Sequence, residues 1–228
     1  MSESFQLELD PALADAPVVV GFIWARGIEP PHTTDAAPPF LAELLAAAKA
    51  TGEGYVPEST RKRVRQLLRY GKYRPSGRGK PASEFLLRAA LGDSFPLING
   101  PVDANNAISL ESGLPGSLFD AELTGPSLLV RRGYAGESYV FNPSGQSIDL
   151  EDLLLVCRET PDGWEPCGNP VKDSMATKIR ETTRDVLAVV YAPADEPLEA
   201  VANWAEKYAK LLREHCGAAE SGFDVATL

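Results

Sequence analysis

Residues 97–120, LINGPVDANNAISLESGLPGSLFD, contain the most informative pattern in the sequence. Its apolar and small residues recur at helical spacing, and we predict a helix over about 102–112 that ends at Gly113, since glycine commonly follows a last helical residue. Asn105 and Asn106 lie inside this helix, where each costs roughly 0.6 kcal/mol relative to alanine. The pair therefore indicates either a polar strip beside an apolar pocket or amides that are satisfied locally.

Other elements follow from the hydrophobic periodicity on either side of this stretch. We predict helices over about 40–51, 57–71, 83–91 and from 198 onwards, and strands over 5–9, 18–24, 128–130, 139–141, 153–157 and 186–191. The last predicted element is helical, with one continuous apolar face. The sequence thus predicts an α+β fold with helices early, a mixed or antiparallel sheet late, and a terminal helix that covers the sheet.

Charge is distributed unevenly along the chain. The 228 residues include 22 Lys and Arg against 32 Asp and Glu, for a net charge of −10. That total alone argues against a nucleic-acid partner. Residues 61–88, however, contain ten basic residues and one acidic residue, so this window carries +9 and the rest of the chain carries −19. The distribution is compatible with a polyanion-binding surface on an otherwise acidic protein.

The basic window is predicted to present one surface to phosphates. Its assigned members are Arg61, Arg65 and Arg69, which repeat every fourth residue on one helix ridge, and Arg74, Arg78 and Lys80 in the following loop. The ridge would lie opposite the apolar stripe that includes Val64 and Leu68. The alternative is a solvated face that pairs with the chain's own acids.

Few residues suit metal or cofactor chemistry. Cys157, Cys167 and Cys216 are odd in number and lack Cys-x-x-Cys spacing, so we expect reduced thiols with neither a disulfide nor a zinc site. Neither of the two histidines lies in a segment that resembles a site. We therefore expect no metal and no cofactor. The first four residues lack a positive cluster followed by an apolar run, which predicts a cytoplasmic protein with no membrane association.

Two segments of the chain resemble the editing module of the phenylalanyl-tRNA synthetase β subunit, its third and fourth domains. Residues 97–120, followed by LLVRR at 128–132, resemble the family pattern NPVVDxTNYxxxxxGQPxHAFD. Residues 177–187, TKIRETTRDVL, resemble the pattern TGVxEETKNIx. The resemblance spans about residues 74–193, with N-terminal strands and helices (1–73) packed on this module and a C-terminal helix and tail (194–228). The chain looks like a freestanding relative.

The resemblance implies one domain inserted in another, with a pocket at their junction that in the synthetase hydrolyses tyrosine wrongly attached to the phenylalanine tRNA. The family's Thr-Asn pair falls on Asn105 and Asn106, and its histidine falls on Ser117. Its tyrosine-recognising glutamate falls on Val189, and its glycine-containing pocket loop falls approximately on Gly168-Asn169-Pro170. The aliphatic Val189 offers no acceptor for a phenolic hydroxyl, which disfavours tyrosine as substrate.

Three hypotheses for function follow. The first is a tRNA-binding protein that acts in trans as an aminoacyl-tRNA deacylase; Asn105 and Asn106 hold the amino acid or the attacking water, and Ser117 orients that water. Gly168, Asn169 and Val189 would line the aminoacyl pocket. The second is a non-catalytic module that binds a free amino acid or small metabolite in the same pocket. The third is a scaffold whose acidic surface binds a basic protein. The sequence predicts no oligomeric state.

Overall fold

The computed structural model describes residues 4–33 and 36–228. Met1 to Glu3, on which the expectation about the chain's start rests, lie outside the described residues. The described part contains six α-helices: α1 (Pro39–Thr51), α2 (Glu58–Leu68), α3 (Ala82–Leu91), α4 (Gly100–Ser112), α5 (Ala121–Thr124) and α6 (Leu198–Cys216). Four of them precede residue 113, as predicted.

Ten strands complete the described fold: β1 (Gln6–Leu9), β2 (Val18–Arg26), β3 (Gly116–Asp120), β4 (Ser127–Arg132), β5 (Ser138–Val140), β6 (Ser147–Asp149), β7 (Leu154–Thr160), β8 (Gly163–Gly168), β9 (Val186–Pro193) and β10 (Glu220–Ala226). The predicted α+β class is confirmed. The sequence analysis missed β3, β6, β8 and β10.

The first sheet is antiparallel, with the order β10-β2-β9-β3. All eight residues of β9 are buried, which explains the unbroken apolar run that made this strand predictable. Helix α6 packs against β2 and β10. Its apolar face, which includes Val201, Ala205 and Tyr208, is buried as its periodicity predicts.

The second sheet has the order β1-β4-β7-β8 and is mixed, because β1 runs parallel to β4 while the other pairs are antiparallel. Three of its strands come from the segment between β3 and β9 of the first sheet. The chain therefore leaves the first sheet after β3, builds most of the second, and returns at β9.

Helix α4 is the element around which the site is organised. It packs against α3, α6 and β3, and eight of its 13 residues are buried. Asn99 caps its start by accepting a hydrogen bond from the Val102 amide at 3.1 Å. Gly113 ends it in the left-handed conformation, at φ 75°, where side chains are strained. Small residues such as Ala104 and Ala107 let its neighbours approach closely.

The C-terminal tail predicted over the last residues is instead a strand. Residues Glu220–Ala226 pair antiparallel with β2, and Gly222 lies opposite Trp24. A β-carbon on Gly222 would stand 2.6 Å from the Trp24 ring, so glycine is required where this strand crosses the indole. Glycine and aspartate are unfavourable in strands, and the pairing partner is about 200 residues away. The local pattern therefore gave no signal.

The predicted helix ridge is also wrong at its third member. Helix α2 ends at Leu68, and Arg69 has extended backbone with ψ 99°. The chain turns at Gly71, at φ 45°, where the Asp152 carboxylate accepts the Lys72 amide at 2.6 Å and leaves no room for a β-carbon. Arg61 and Arg65 share the helix, whereas Arg69 lies beyond it.

Candidate functional site

A cavity of about 290 Å³ lies between α4, β3 and the loop that follows β8. This volume is at the small end of the range for ligand pockets and suits a group about as large as an amino acid. Apolar side chains contribute part of the wall, and polar groups converge on it. The polar lining residues are Asn99, Asn105, Asn106, Asn169, Lys172, Asp173 and Lys178.

The structure brings together three of the six predicted catalytic and aminoacyl-pocket residues. Asn105, Asn106 and Asn169 all line the cavity. Ser117, Gly168 and Val189 do not, although all are buried directly behind the wall. Three of the predicted residues therefore line the cavity, and the other three are buried behind its wall.

Asn105 occupies the wall formed by α4. Its Oδ1 atom is buried and has no hydrogen-bond partner in the described structure. The neighbouring residue Gly116 leaves the space that this side chain fills, because a β-carbon there would stand 2.7 Å from Oδ1. An unpartnered buried acceptor costs about 1–3 kcal/mol, a cost that a ligand donor can remove. This amide is thus a candidate recognition group.

Ser117 does not line the cavity, although its neighbours Gly116 and Leu118 on β3 do. Its hydroxyl hydrogen-bonds to the carboxylate of Asp173, which does line the cavity. Its hydroxyl lies 2.8 Å from the Tyr191 hydroxyl and 3.4 Å from the Asn169 carbonyl oxygen, to which it donates. The predicted contact between Ser117 and an attacking water stays a prediction. The residue supports the wall from behind.

Val189 and Gly168 also differ from the prediction. Val189 is fully buried on β9, opposite Ser117 in the strand register, so burial of an aliphatic side chain explains its place. Gly168 packs against Phe119, whose ring would be 2.5 Å from a β-carbon at this position. Neither residue lines the cavity. Gly168 instead lets the loop that carries Asn169 approach β3.

Asp173 is a candidate functional residue that the sequence analysis missed. It lines the cavity, and its two carboxylate oxygens accept hydrogen bonds from the Leu118 amide at 3.2 Å and the Asn169 amide at 3.3 Å. Burial raises the pKa of Asp173 to about 6, against the lowering effect of the hydrogen bonds from Ser117 and the Leu118 amide. Although the residue keeps a partly exposed surface, protein atoms surround the carboxylate. Such a group can exchange a proton near neutral pH.

The loop that carries Asp173 is held by Asn169. The Oδ1 atom of Asn169 accepts the amides of Val171 and Lys172 at 2.8 and 2.9 Å, and its Nδ2 atom donates to the Tyr139 hydroxyl. Tyr139 in turn donates to the Lys172 carbonyl oxygen at 2.6 Å. These bonds fix the turn locally. A carboxylate four residues after an asparagine in the Gly168-Asn169-Pro170 segment was the available sequence signal.

The basic residues do not form one surface. Arg61, Arg65, Lys80 and Arg88 line a cleft of about 480 Å³ between α2 and α3. Arg69 lines a different cleft, and Arg74 donates to the backbone carbonyls of its own loop. The fold therefore divides the predicted phosphate surface into separate places.

Arg78 lies closest to the candidate site. It lines a groove that shares Ala82, Asn106, Val171 and Lys172 with the cavity wall, so groove and cavity are continuous. Arg61 on the other cleft has a buried Nε atom without a hydrogen-bond partner. Cationic groups are thus placed both at the mouth of the cavity and further along α2 and α3.

Self-pairing, the alternative interpretation of the basic window, holds for part of it. Arg65 makes a two-pronged ion pair with Glu84, and Arg63 pairs with Asp195 and Glu196. Lys62 pairs with Glu58 at 2.9 Å, and Lys72 pairs with Glu151 at 2.7 Å. These four bases have local carboxylate partners, which leaves Arg61, Arg69, Arg78, Lys80 and Arg88 as the more available cations.

Other features carry structure rather than chemistry. The three cysteines are free thiols, and all are buried. Within residues 4–33 and 36–228, no group of His, Cys, Asp and Glu side chains has the arrangement of a metal site. No helix in the same part of the chain is both long and apolar enough to cross a bilayer.

Comparison with known proteins places this chain in a defined class, the modules related to tRNA synthetases. The family model of the B3/4 domain matches residues 77–217, more than half of the chain. The chain therefore belongs to the B3/4 domain family, which is found in the phenylalanyl-tRNA synthetase β subunit. The relationship predicted from the two sequence segments is confirmed. No curated protein sequence matches the chain significantly.

One solved structure that matches the chain comes from a phenylalanyl-tRNA synthetase. It is an N-terminal fragment of the phenylalanyl-tRNA synthetase β subunit from Pyrococcus horikoshii, with a TM-score of 0.48 and 10% sequence identity. The match covers 99% of this chain and 52% of that fragment. The chain thus spans about half the length of the fragment it resembles.

Proposed function

We propose that this protein binds the aminoacyl end of a tRNA in the cavity beside α4 and hydrolyses the aminoacyl ester in trans. The observation that carries the proposal is the presence, in one cavity of about 290 Å³, of a carboxyl group with a pKa of about 6 and an unpartnered buried amide oxygen. The first group suits proton transfer near neutral pH, and the second suits recognition of a ligand donor.

Asp173 acts as the general base in this proposal. Its carboxylate accepts a proton from a water molecule while the water oxygen attacks the ester carbonyl carbon. The bond between that carbon and the ribose oxygen then breaks, and the ribose oxygen takes up a proton. The products are a free amino acid and an uncharged tRNA. Hydrogen bonds from two backbone amides orient the carboxylate.

Asn105 and Asn106 hold the aminoacyl group. The free Oδ1 of Asn105 is an acceptor and suits the α-ammonium group of the amino acid. Asn106 is half-buried at the junction of the cavity and the Arg78 groove, where its amide can hold the ester end of the substrate. Ser117 is a positioning residue, because its hydroxyl contacts the Asn169 carbonyl oxygen, the Tyr191 hydroxyl and the Asp173 carboxylate.

The cationic groups supply the path for the tRNA. The terminal nucleotides would run through the groove past Arg78, and the backbone beyond would lie along the cleft with Arg61, Lys80 and Arg88. The acidic remainder of the chain repels phosphates elsewhere, so the charge distribution favours one orientation of the tRNA. The domain boundaries at residues 74 and 193 stay part of this proposal. In it, the second sheet is the inserted domain and forms the other wall of the module.

A second candidate function is reversible binding of a free amino acid. Asp173 lines the cavity together with Lys172 and Lys178, so opposite charges are available for the ammonium and carboxylate of a zwitterion. Ser117 and Val189, at the family's histidine and glutamate positions, also favour a pocket without hydrolysis. In this case free amino acids stabilise the protein in the absence of tRNA.

The test is deacylation of a panel of charged tRNAs. We expect ester hydrolysis above the spontaneous rate for at least one aminoacyl-tRNA, and weaker or no hydrolysis with Asp173→Asn. Hydrolysis at the spontaneous rate for every member rejects the deacylase. Stabilisation by a free amino acid, with no affinity for tRNA, would instead support the second candidate.

A further inference from the structure

A second cleft, remote from the α4 cavity in its lining residues, contains an arginine whose hydrogen bonds are incomplete. The cleft has a volume of about 470 Å³ and lies between the end of α2, the end of β4 and the turn after β9. Its charged and aromatic lining includes Arg63, Arg69, Tyr70, Arg132, Asp15 and Asp195. It shares no lining residue with the α4 cavity or with the cleft of Arg61 and Lys80.

Arg132 is the unusual member of this set. Its Nη2 atom donates to the Leu67 carbonyl oxygen at 3.2 Å, but its Nε and Nη1 atoms are buried without hydrogen-bond partners. Burial lowers the pKa of Arg132 to about 10, although the nearby Tyr70 and Asp152 act in the opposite direction. A guanidinium that loses water without gaining acceptors is costly, and an anion would remove that cost.

The neighbouring Arg131, on the same strand, has carboxylate partners for its guanidinium. It points to the other face of β4 and donates to both carboxylate oxygens of Glu137, at 2.8 and 2.6 Å. No described carboxylate forms an equivalent ion pair with Arg132. The contrast indicates that two N–H donors of Arg132 are available to an acceptor from outside the chain.

The rest of the cleft complements an anion with several oxygens. Arg69 stands at the cleft after the end of α2, and its exposed side chain adds a second cation. The carboxylate of Asp195 is engaged by Arg63 at 3.2 Å, so it is partly neutralised, and Asp15 is exposed. Two arginines that line one cleft suit a phosphate group, since the planar guanidinium fork matches its oxygens.

Tyr70 covers the guanidinium in the structure. The Arg132 guanidinium carbon lies 4.6 Å from the centre of the Tyr70 ring, within the range of a cation–π contact. Tyr70 follows Arg69 and precedes the Gly71 turn, so its backbone is outside any helix. The ring thus stabilises the charge of the guanidinium in the free protein.

We infer that the cleft beneath Tyr70 is a phosphate-binding site in which Arg132 and Arg69 hold a phosphate group. The Tyr70 ring contacts the face of the guanidinium in the free protein. The site is independent of the α4 cavity and of the deacylase proposal, because it uses none of the same residues. A backbone phosphate of a tRNA and a free phosphate have the same chemistry at this site.

Equilibrium dialysis of the full chain against inorganic phosphate, at constant ionic strength and near neutral pH, tests the inference. We expect saturable binding that weakens about tenfold or more in Arg69→Ala, as loss of a charge-assisted hydrogen bond predicts. Arg132→Lys keeps the charge, loses the fork and is expected to weaken binding similarly. Lys210→Ala, on exposed α6 surface, is the matched control and binds phosphate as the wild type does.

Tyr70→Ala gives an outcome that a purely structural role of Arg132 would not produce. Because the ring contacts the guanidinium in the free state, its removal is expected to tighten phosphate binding. No saturable binding by the wild type, or equal binding by wild type and Arg69→Ala, overturns the inference.

A competition experiment identifies the source of the phosphate group. If added tRNA displaces bound inorganic phosphate, the site belongs to the nucleic-acid contact surface. If tRNA and phosphate bind together, the site takes a small phosphate. Both results keep the site. A wild-type protein that binds phosphate but hydrolyses no aminoacyl-tRNA would reject the proposed function and leave the phosphate site in place.

Discussion

The Oδ1 atom of Asn105 lies 2.7 Å from the point where a β-carbon on Gly116 would stand. The Val189 carbonyl oxygen lies 3.2 Å from the same point, so the glycine position is closed from two sides. Helix α4 and strand β3 can approach this closely because residue 116 has no side chain. The wall of the cavity, and the placement of the Asn105 amide in it, depend on this contact.

Gly116→Ala should therefore disturb the site as well as the fold. A methyl group has to displace Asn105 or spread α4 from β3, and overpacking of this kind costs about 1–3 kcal/mol. Urea denaturation measures the loss. Gly54→Ala is the matched control, since a β-carbon at Gly54 meets nothing within 4 Å. Equal stability of the two variants would show that the close contact has no energetic consequence.

The buried hydroxyl pair of Ser117 and Tyr191 predicts a non-additive double mutant. Each single change, Ser117→Ala or Tyr191→Phe, leaves the other hydroxyl without its 2.8 Å partner and should cost about 1–3 kcal/mol. Loss of both hydroxyls leaves no such orphan, so the double variant should cost less than the sum of the two. Chemical denaturation of the four proteins gives the coupling. Strict additivity would mean that the pair contributes no interaction.

The raised pKa of Asp173 predicts a pH-dependent loss of stability. Because the folded-state pKa of about 6 exceeds the ordinary value of 3.8, the folded protein binds more protons between these values. The contribution to the free energy of unfolding is therefore full below pH 3.8 and is lost as pH rises to 6, by about 3 kcal/mol.

Asp173→Asn removes this contribution. The difference in unfolding free energy between wild type and variant should change over pH 4 to 6 and stay constant above pH 7. Asp162→Asn, at an exposed turn, serves as the control and should track the wild type. A difference that is independent of pH would show that Asp173 titrates normally.

The cleft between α2 and α3 predicts the salt dependence of tRNA binding. If Arg61 and Arg88 contact phosphates, each change to alanine should reduce the slope of log affinity against log salt by about 1. Filter binding at several salt concentrations measures the slope, with Lys210→Ala as a control outside the cleft. Unchanged slopes in both variants would place the tRNA elsewhere.

Local patterns were sufficient to predict the parts of the fold that bury one continuous apolar surface. Burial produces the unbroken apolar run of β9 and the apolar helical face of α6, which made both elements predictable. Strand β3 was missed because GSLFD begins with glycine and serine, whose place in a sheet is decided by the partner β9. Pairing energy between distant segments does not appear in a local pattern.

The candidate site was predictable in part for a similar reason. Two adjacent asparagines inside a predicted helix marked Asn105 and Asn106 as unusual. Asp173 had no such mark, because one carboxylate in a polar loop is ordinary until burial raises its pKa. Ser117 was predicted to line the pocket, but the strand register pairs it with the buried Val189, and it does not line the cavity.

The most direct test is the pH profile of single-turnover deacylation by the full chain, with the spontaneous rate subtracted and with the best substrate of the panel. The wild-type rate should rise about tenfold per pH unit below 6 and level off above it, because Asp173 must be ionised to accept a proton. Asp173→Asn should lower the plateau about 10²- to 10⁴-fold, while Asp162→Asn leaves it unchanged. An Asp173→Asn enzyme with the wild-type rate and pH profile would contradict the role of this carboxylate.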